Sequence, residues 1–208
     1  MFKSKAGQEF LTKMSWVADL LIISILWFLF SIPIITVGAS SSAMYRAIQY
    51  RLLNGDGKIW DPFWKTFKSS FSQATVTWLG YVMLVVIFVL NQSLLASGLA
   101  SSWINHFSQV FLIVMLLLIT PILIMSLAYL ARFEDNLKTV WKNTFLLSIA
   151  HFKQTAYIFF VVILSVSIVY LIPLLVVFIP AFSISRICPR LEKIFNKYTE
   201  EDLLGDPQ

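Results

Sequence analysis

Few residues in this chain have both the type and the setting to do chemistry. Asp19 is the one acidic residue inside a long apolar run, and a carboxylate in such surroundings could couple proton movement to transport because its charge is costly there. It lies only a turn or so into the first helical run, however, where the helix dipole and nearby water accommodate an anion. The reading of Asp19 as a helix-end anion therefore stands ahead of the coupling reading. His106 and His151 are 45 positions apart, with no adjoining carboxylate and no metal-ligand spacing. Cys188 is the single cysteine, which excludes an internal disulfide and a multi-cysteine metal site. No Gly-rich phosphate loop, Gly-x-Ser-x-Gly elbow or His-Glu-x-x-His pattern occurs. The expectation is a protein without catalytic residues, cofactor or metal.

One further cluster could hold a ligand. Gly38, Ala39, Ser40, Ser41, Ser42 and Ala43 leave almost no side-chain bulk over nearly two turns. With Thr36, the serine hydroxyls could line a groove for a polar ligand. Small residues at this spacing more often let two helices approach closely, and packing is the favoured use.

The elements that must position these residues are membrane helices. Hydrophobic residues make up 58% of the 208 and charged ones 13%, outside the range of a soluble globule. Apolar runs near 15–35, 75–98, 108–131 and 155–185 reach or exceed the roughly 20 residues that cross about 30 Å of hydrocarbon as a helix. They are continuous rather than alternating, which argues against barrel strands. The fold class expected is all-α, a polytopic helical membrane protein over residues 1–208 as a single domain. It should have five or six transmembrane or half-spanning helices and two cytoplasmic interfacial helices. The apolar run after the basic segment 1–14 lacks a convincing cleavage site and reads as an uncleaved first helix.

Charge sets the expected topology, because Lys and Arg in short loops mark the cytoplasmic side. Lys3, Lys5 and Lys13 precede the first run; Arg46, Arg51, Lys58, Lys65 and Lys68 fall in 46–74; Arg132, Lys138, Lys142 and Lys153 fall in 132–154; Arg186, Arg190, Lys193 and Lys197 fall in the tail 186–208. Residues 99–107 carry no Lys or Arg and read as an external loop, with Trp103 at the outer interface. All basic segments share one side only if the first apolar block turns back, and Pro33 offers the break. Pro33, Pro121 and Pro173 are followed 13, 11 and 13 residues on by Arg46, Arg132 and Arg186, which suggests three descending segments. Both termini are then cytoplasmic. The net charge of +5 is explained by this pattern, and no nucleic acid is implied.

The basic connections are amphipathic. Asp61-Pro62 reads as a helix start, after which Trp60, Phe63, Trp64, Phe67 and Phe71 share a face opposite Lys65, Lys68, Ser69 and Ser72. Around residue 140, Leu137, Val140, Trp141 and Phe145 oppose Lys138, Lys142 and Asn143. Aromatics at headgroup depth with lysines toward anionic lipid make interfacial helices. The plain role is an elbow that orients the next span. The sharper role is a docking surface for a partner, carried by Trp60, Phe63, Trp64, Lys65, Phe67, Lys68, Phe71, Trp141 and Lys142.

Two stretches carry a family likeness: Leu29 to Tyr45, with Pro33, Gly38, Ala39 and Ala43, and Phe63 to Ala74, with its Phe-x-Lys and Phe-x-Gln-Ala elements. They resemble the YesL-like family of bacterial integral membrane proteins, a domain of unknown function. The resemblance implies a Gram-positive plasma-membrane protein whose gene neighbours often encode carbohydrate-importer permeases, solute-binding proteins and glycan-degrading enzymes. It supplies no catalytic or binding residues. The expected function is an accessory membrane component of a carbohydrate (oligosaccharide) ABC importer, with the lipid bilayer and the importer's permease subunits as partners. The alternative is an independent small-solute transporter or channel working as a homo-oligomer, with Asp19 and the serine run as its pathway. A membrane-embedded enzyme ranks third.

Overall fold

The computed structural model describes residues 5–55, 58–96 and 102–204. Lys3, residues 56–57 of the turn rich in Gly and Asp, residues 99–101 of the uncharged loop and the last four residues of the tail lie outside the described residues. The described residues form helices and their connections, with no strand among them: α1 (Lys5–Ser31), α2 (Val37–Asn54), α3 (Trp60–Ser69), α4 (Phe71–Ala96), α5 (Ser102–Arg132), α6 (Leu137–Ala150), α7 (Phe152–Leu171) and α8 (Ile179–Leu204). The protein is all-α, with the build of a polytopic membrane protein. Four stretches, Gly7–Ser31, Phe71–Ser93, His106–Arg132 and Phe152–Leu171, are long and apolar enough to cross a membrane.

Three antiparallel hairpins organise the chain. Along α1 and α2, partners rise on one helix as they fall on the other: Asp19 meets Arg51, Trp27 Nε1 donates to Ser41 Oγ at 3.1 Å, and Ser31 meets Ser40 at 2.6 Å. In α4 and α5, Ser108 donates to Asn91 Oδ1 at 3.0 Å and Tyr81 meets Thr120 at 2.9 Å. Between α7 and α8, His151, just before α7, pairs with Tyr198 at 3.3 Å, the Arg190 guanidinium lies 3.5 Å from the Tyr157 ring centre, and Ser165 meets Ser183 at 2.6 Å.

The prolines act differently according to position. Pro33 and Pro173 stand between the α-helices, Pro33 just before the short 3-10 turn Ile34–Thr36 and Pro173 opening the turn Pro173–Val177. Pro121 instead sits inside α5, which continues unbroken to Arg132. Asp61 lies in the first turn of α3 rather than at its cap, because the helix begins two residues earlier than expected, at Trp60 after Ile59. Helix α2 ends at Gly55, whose φ of +70° allows its N–H to reach Arg51 O at 3.1 Å.

The distribution of polarity is inverted relative to a soluble protein. Helix α2 is much less apolar than α1, α4, α5 and α7, yet it packs against α1, α3, α4, α5 and α8, and eleven of its eighteen residues are buried. Large apolar side chains on α1, α4, α5 and α7 point outward, among them Leu29, Met83, Leu118 and Phe160. An outer surface of this kind would aggregate in water. In hydrocarbon it is the matching surface, and the tight contacts fall to the small residues.

Candidate functional site

The interior holds two features where chemistry could be organised: a polar clasp between α2, α5 and α8, and an apolar cavity directly beside it.

The clasp centres on Glu192. Tyr45 donates to its Oε1 at 2.7 Å, Gln49 Nε2 donates to its Oε2 at 2.7 Å, and Arg132 forms an ion pair with the same Oε2. Gln49 in turn accepts from Arg46 at 2.5 Å, and Arg132 donates to Asn196 at 2.5 Å. The carboxylate is thus held by three donors from two other helices, which makes a largely buried charge tolerable. Cys188, one turn before Glu192, is fully buried. Burial, with the nearby Glu192 charge adding to it, pushes the Cys188 thiol up to about 12, so it stays protonated and unreactive at neutral pH.

Glu192 did not stand out in the sequence. The signal that could have found it is the helical period of Ile187, Leu191, Ile194 and Phe195, all buried, which puts Glu192 at the edge of the inward stripe rather than among the exposed cations Arg186, Arg190, Lys193 and Lys197.

Asp19 has a partner that the charge count had assigned to a loop. Arg51, 8% exposed, pairs through Nε with Asp19 Oδ2, and its Nη2 donates to Ser15 at 3.1 Å. Asp19 is therefore an element of the α1–α2 contact.

The small-residue run sorts by position. A Cβ on Gly38 would meet the Ala74 carbonyl and come within 2.7 Å of Trp78 Cβ and 2.9 Å of Ala74 C, so α2 and α4 cross there with no room for a methyl group. Ala39, Ser40, Ser42 and Ala43 are fully buried. The hydroxyls do not converge on one groove. Thr36 donates to Phe30 O at 2.5 Å, Ser40 bonds Ser31 and Val37 O, Ser41 accepts from Trp27, and Ser42 Oγ has no partner.

The aromatic face of α3 turns largely inward. Phe30 of α1 inserts among Phe63, Trp64 and Phe67 at ring-centre distances of 5.7, 5.5 and 5.1 Å, and Phe63 is fully buried. Trp60 and Phe71 at its ends stay exposed, as do Lys65 and Lys68, the latter 4.8 Å over the Trp64 ring. On α6 the buried face is Val140, Thr144, Leu147 and Ser148, while Trp141, Lys142 and Phe145 are exposed; Trp141 Nε1 reaches Thr77 Oγ1 at 3.2 Å. Periodicity identified these faces but could not tell which one a neighbouring helix covers.

The cavity, about 420 Å³, lies between α1, α2, α4, α5, α7 and α8, and Tyr45 borders both it and the clasp. Its wall is almost wholly aliphatic and aromatic. A second cleft of about 480 Å³ between α5, α6 and α8 is more polar. There Tyr129 donates to Asp135 at 2.6 Å and accepts from Asn143 at 3.0 Å.

Residues 20–92 match the model of a family described as a protein of unknown function, DUF624. The YesL-like family is DUF624. The DUF624 region takes in the turn at Pro33, the small-residue run, the Gly38 crossing and the aromatic face of α3, so both stretches that carried the likeness lie within it. It also contains Tyr45 and Gln49, whereas Arg132 and Glu192 lie beyond it. No curated protein and no solved structure matches the chain.

Proposed function

We propose that this DUF624-region protein is an accessory component of a carbohydrate ABC importer, multi-pass in the plasma membrane with both termini cytoplasmic, acting by packing and docking rather than by carrying solute. The observation that carries this reading is the pairing of the interior polar groups. Asp19 is tied to Arg51, Glu192 to Tyr45, Gln49 and Arg132, and the cavity beside them is apolar. A sugar path would need hydroxyl-bonding side chains in series, whereas the buried charged groups described here are bonded within the protein. The exposed Trp60, Lys65, Lys68, Trp141 and Lys142 supply the docking surface, and the gene neighbours implied by the YesL-like resemblance supply the partner.

Affinity capture in mild detergent should recover permease subunits of a carbohydrate importer, and charge reversal at Lys65 and Lys68 should weaken that capture more than a change at Trp103. Reconstituted alone, the protein should give no sugar flux above empty vesicles; saturable flux would overturn the reading in favour of an independent transporter. Single cysteines at Asn54, Ser102 and Asn143 in intact cells test the orientation. Only the Ser102 site should react with an impermeant maleimide, and labelling at Asn54 would place the first basic connection outside.

A further inference from the structure

We infer that the cavity between α2, α5, α7 and α8 is a binding site for a single acyl chain of a bilayer phospholipid. Its volume of about 420 Å³ falls within the roughly 300–1,000 Å³ of small-molecule sites. The polar atoms along its wall are already bonded to the protein. Trp27 Nε1 donates to Ser41, Trp78 Nε1 to Ile34 O, Tyr45 to Glu192, and Ser165 and Ser183 bond each other. An occupant therefore finds few free hydrogen-bonding groups and no unpaired charge on this wall. Ordered water is poorly held there for the same reason, since a buried water needs two to four polar partners. Hydrocarbon is the chemistry that fits.

The source of that hydrocarbon follows from where the cavity opens. Val166 and Val176, 63% and 43% exposed, stand at its rim. They belong to the same apolar surface as Tyr170, Leu171 and Leu174, on and just after a helix long and apolar enough to cross a membrane. The bilayer covers that surface, so lipid chains are the molecules present at the mouth. Inward, the cavity ends against Met44, Tyr45 and Ile187, each no more than 2% exposed. It thus runs from the lipid-facing surface to Tyr45 of the polar clasp. This assignment is independent of the importer reading and survives its failure.

The test uses the full chain in phosphatidylcholine vesicles containing a trace of phosphatidylcholine with a diazirine midway along one acyl chain. After illumination, adducts are mapped by peptide mass spectrometry. Adducts should appear at Met44, Ala128 and Ile187, which the surrounding bilayer cannot touch, as well as at the outward Ile163 and Leu164. Adducts confined to outward residues would overturn the proposal. Val162→Trp, which fills the cavity from α7, should abolish the interior adducts and keep the outward ones. Val169→Trp serves as the second filling variant if the first does not fold. Interior adducts that persist at full yield in a folded filling variant would also refute the site.

Discussion

Replacing Gly38 by alanine adds one methyl group at the close crossing of α2 and α4, and the structure fixes the sign of the effect. The new Cβ would meet the Ala74 carbonyl and stand 2.7 Å from Trp78 Cβ and 2.9 Å from Ala74 C. These are backbone atoms and a Cβ, so no rotamer change relieves the overlap; α2 and α4 must move apart. Forced overpacking of this kind costs about 1–3 kcal/mol, and the upper end applies where backbone is the obstacle. Against it stands the better helix propensity of alanine, about 1 kcal/mol at most. The expected net loss is about 2 kcal/mol. Gly80, in α4, is the matched control, since a Cβ there meets nothing within 4 Å. Gly80→Ala should be neutral or stabilising by up to about 1 kcal/mol. Both variants can be compared with the parent by thermal unfolding in mild detergent, monitored by circular dichroism and by retention of a monodisperse elution peak. A Gly38→Ala protein as stable as the Gly80→Ala protein would refute the close crossing of α2 and α4.

Asp19→Asn should destabilise by about 3–5 kcal/mol, because it leaves Arg51 buried without its counter-charge, and Asp19→Asn combined with Arg51→Met should recover much of that loss in the same unfolding assay. Tyr45→Phe removes one donor to Glu192 while keeping the ring that walls the cavity; a loss of about 1.5–3 kcal/mol is expected, with the interior lipid adducts retained. Cys188 should resist maleimide in the folded protein at pH 7 to 8 and react fully in denaturing detergent. Its folded value of about 12 is raised above the ordinary 9.0, so the stability it contributes is fully present below pH 9.0 and is lost progressively as pH rises toward 12, measurable as a falling unfolding temperature over that window.

The sequence carried the helical class and the return at Pro33 because those depend on local facts: continuous apolar runs and a proline where a helix must end. The proline-to-arginine intervals were less informative: Arg132 ends α5, but Arg46 lies in the middle of α2 and Arg186 in the second turn of α8. The partners of those charges were not readable. Asp19 and Arg51 stand 32 residues apart and Tyr45 and Glu192 stand 147 apart, distances at which nothing in spacing links two side chains. Asp19 consequently looked like a helix-end anion near water, and Arg51 like a loop cation. The aromatic face of α3 shows the same limit. Its period was correct, but Phe30, which covers Phe63 and Phe67, lies on α1 inside a run where every position is apolar, and no periodic signal singled it out.

The clasp and the small-residue crossing divide the work of holding α2 in place. Between apolar helices in hydrocarbon there is no hydrophobic drive to associate, so contact must come from close packing and from polar pairs. Helix α2 uses both: Gly38 brings α4 to backbone contact near its N-terminal end, while Tyr45, Gln49 and Arg51 bind α8 and α1 toward its C-terminal end. Neither device is apolar, which is why a helix less apolar than α1, α4, α5 and α7 can occupy the centre. The arrangement also borders the cavity, whose wall includes Ser41, Met44 and Tyr45, which lie along α2 between Gly38 and Gln49, together with residues of α5, α7 and α8. Tyr45 stands where the two regions meet, its hydroxyl on Glu192 and its ring on the cavity wall. The ring's position is therefore set by the ionic clasp, and the inner end of the cavity is defined by polar bonds even though its surface is hydrocarbon.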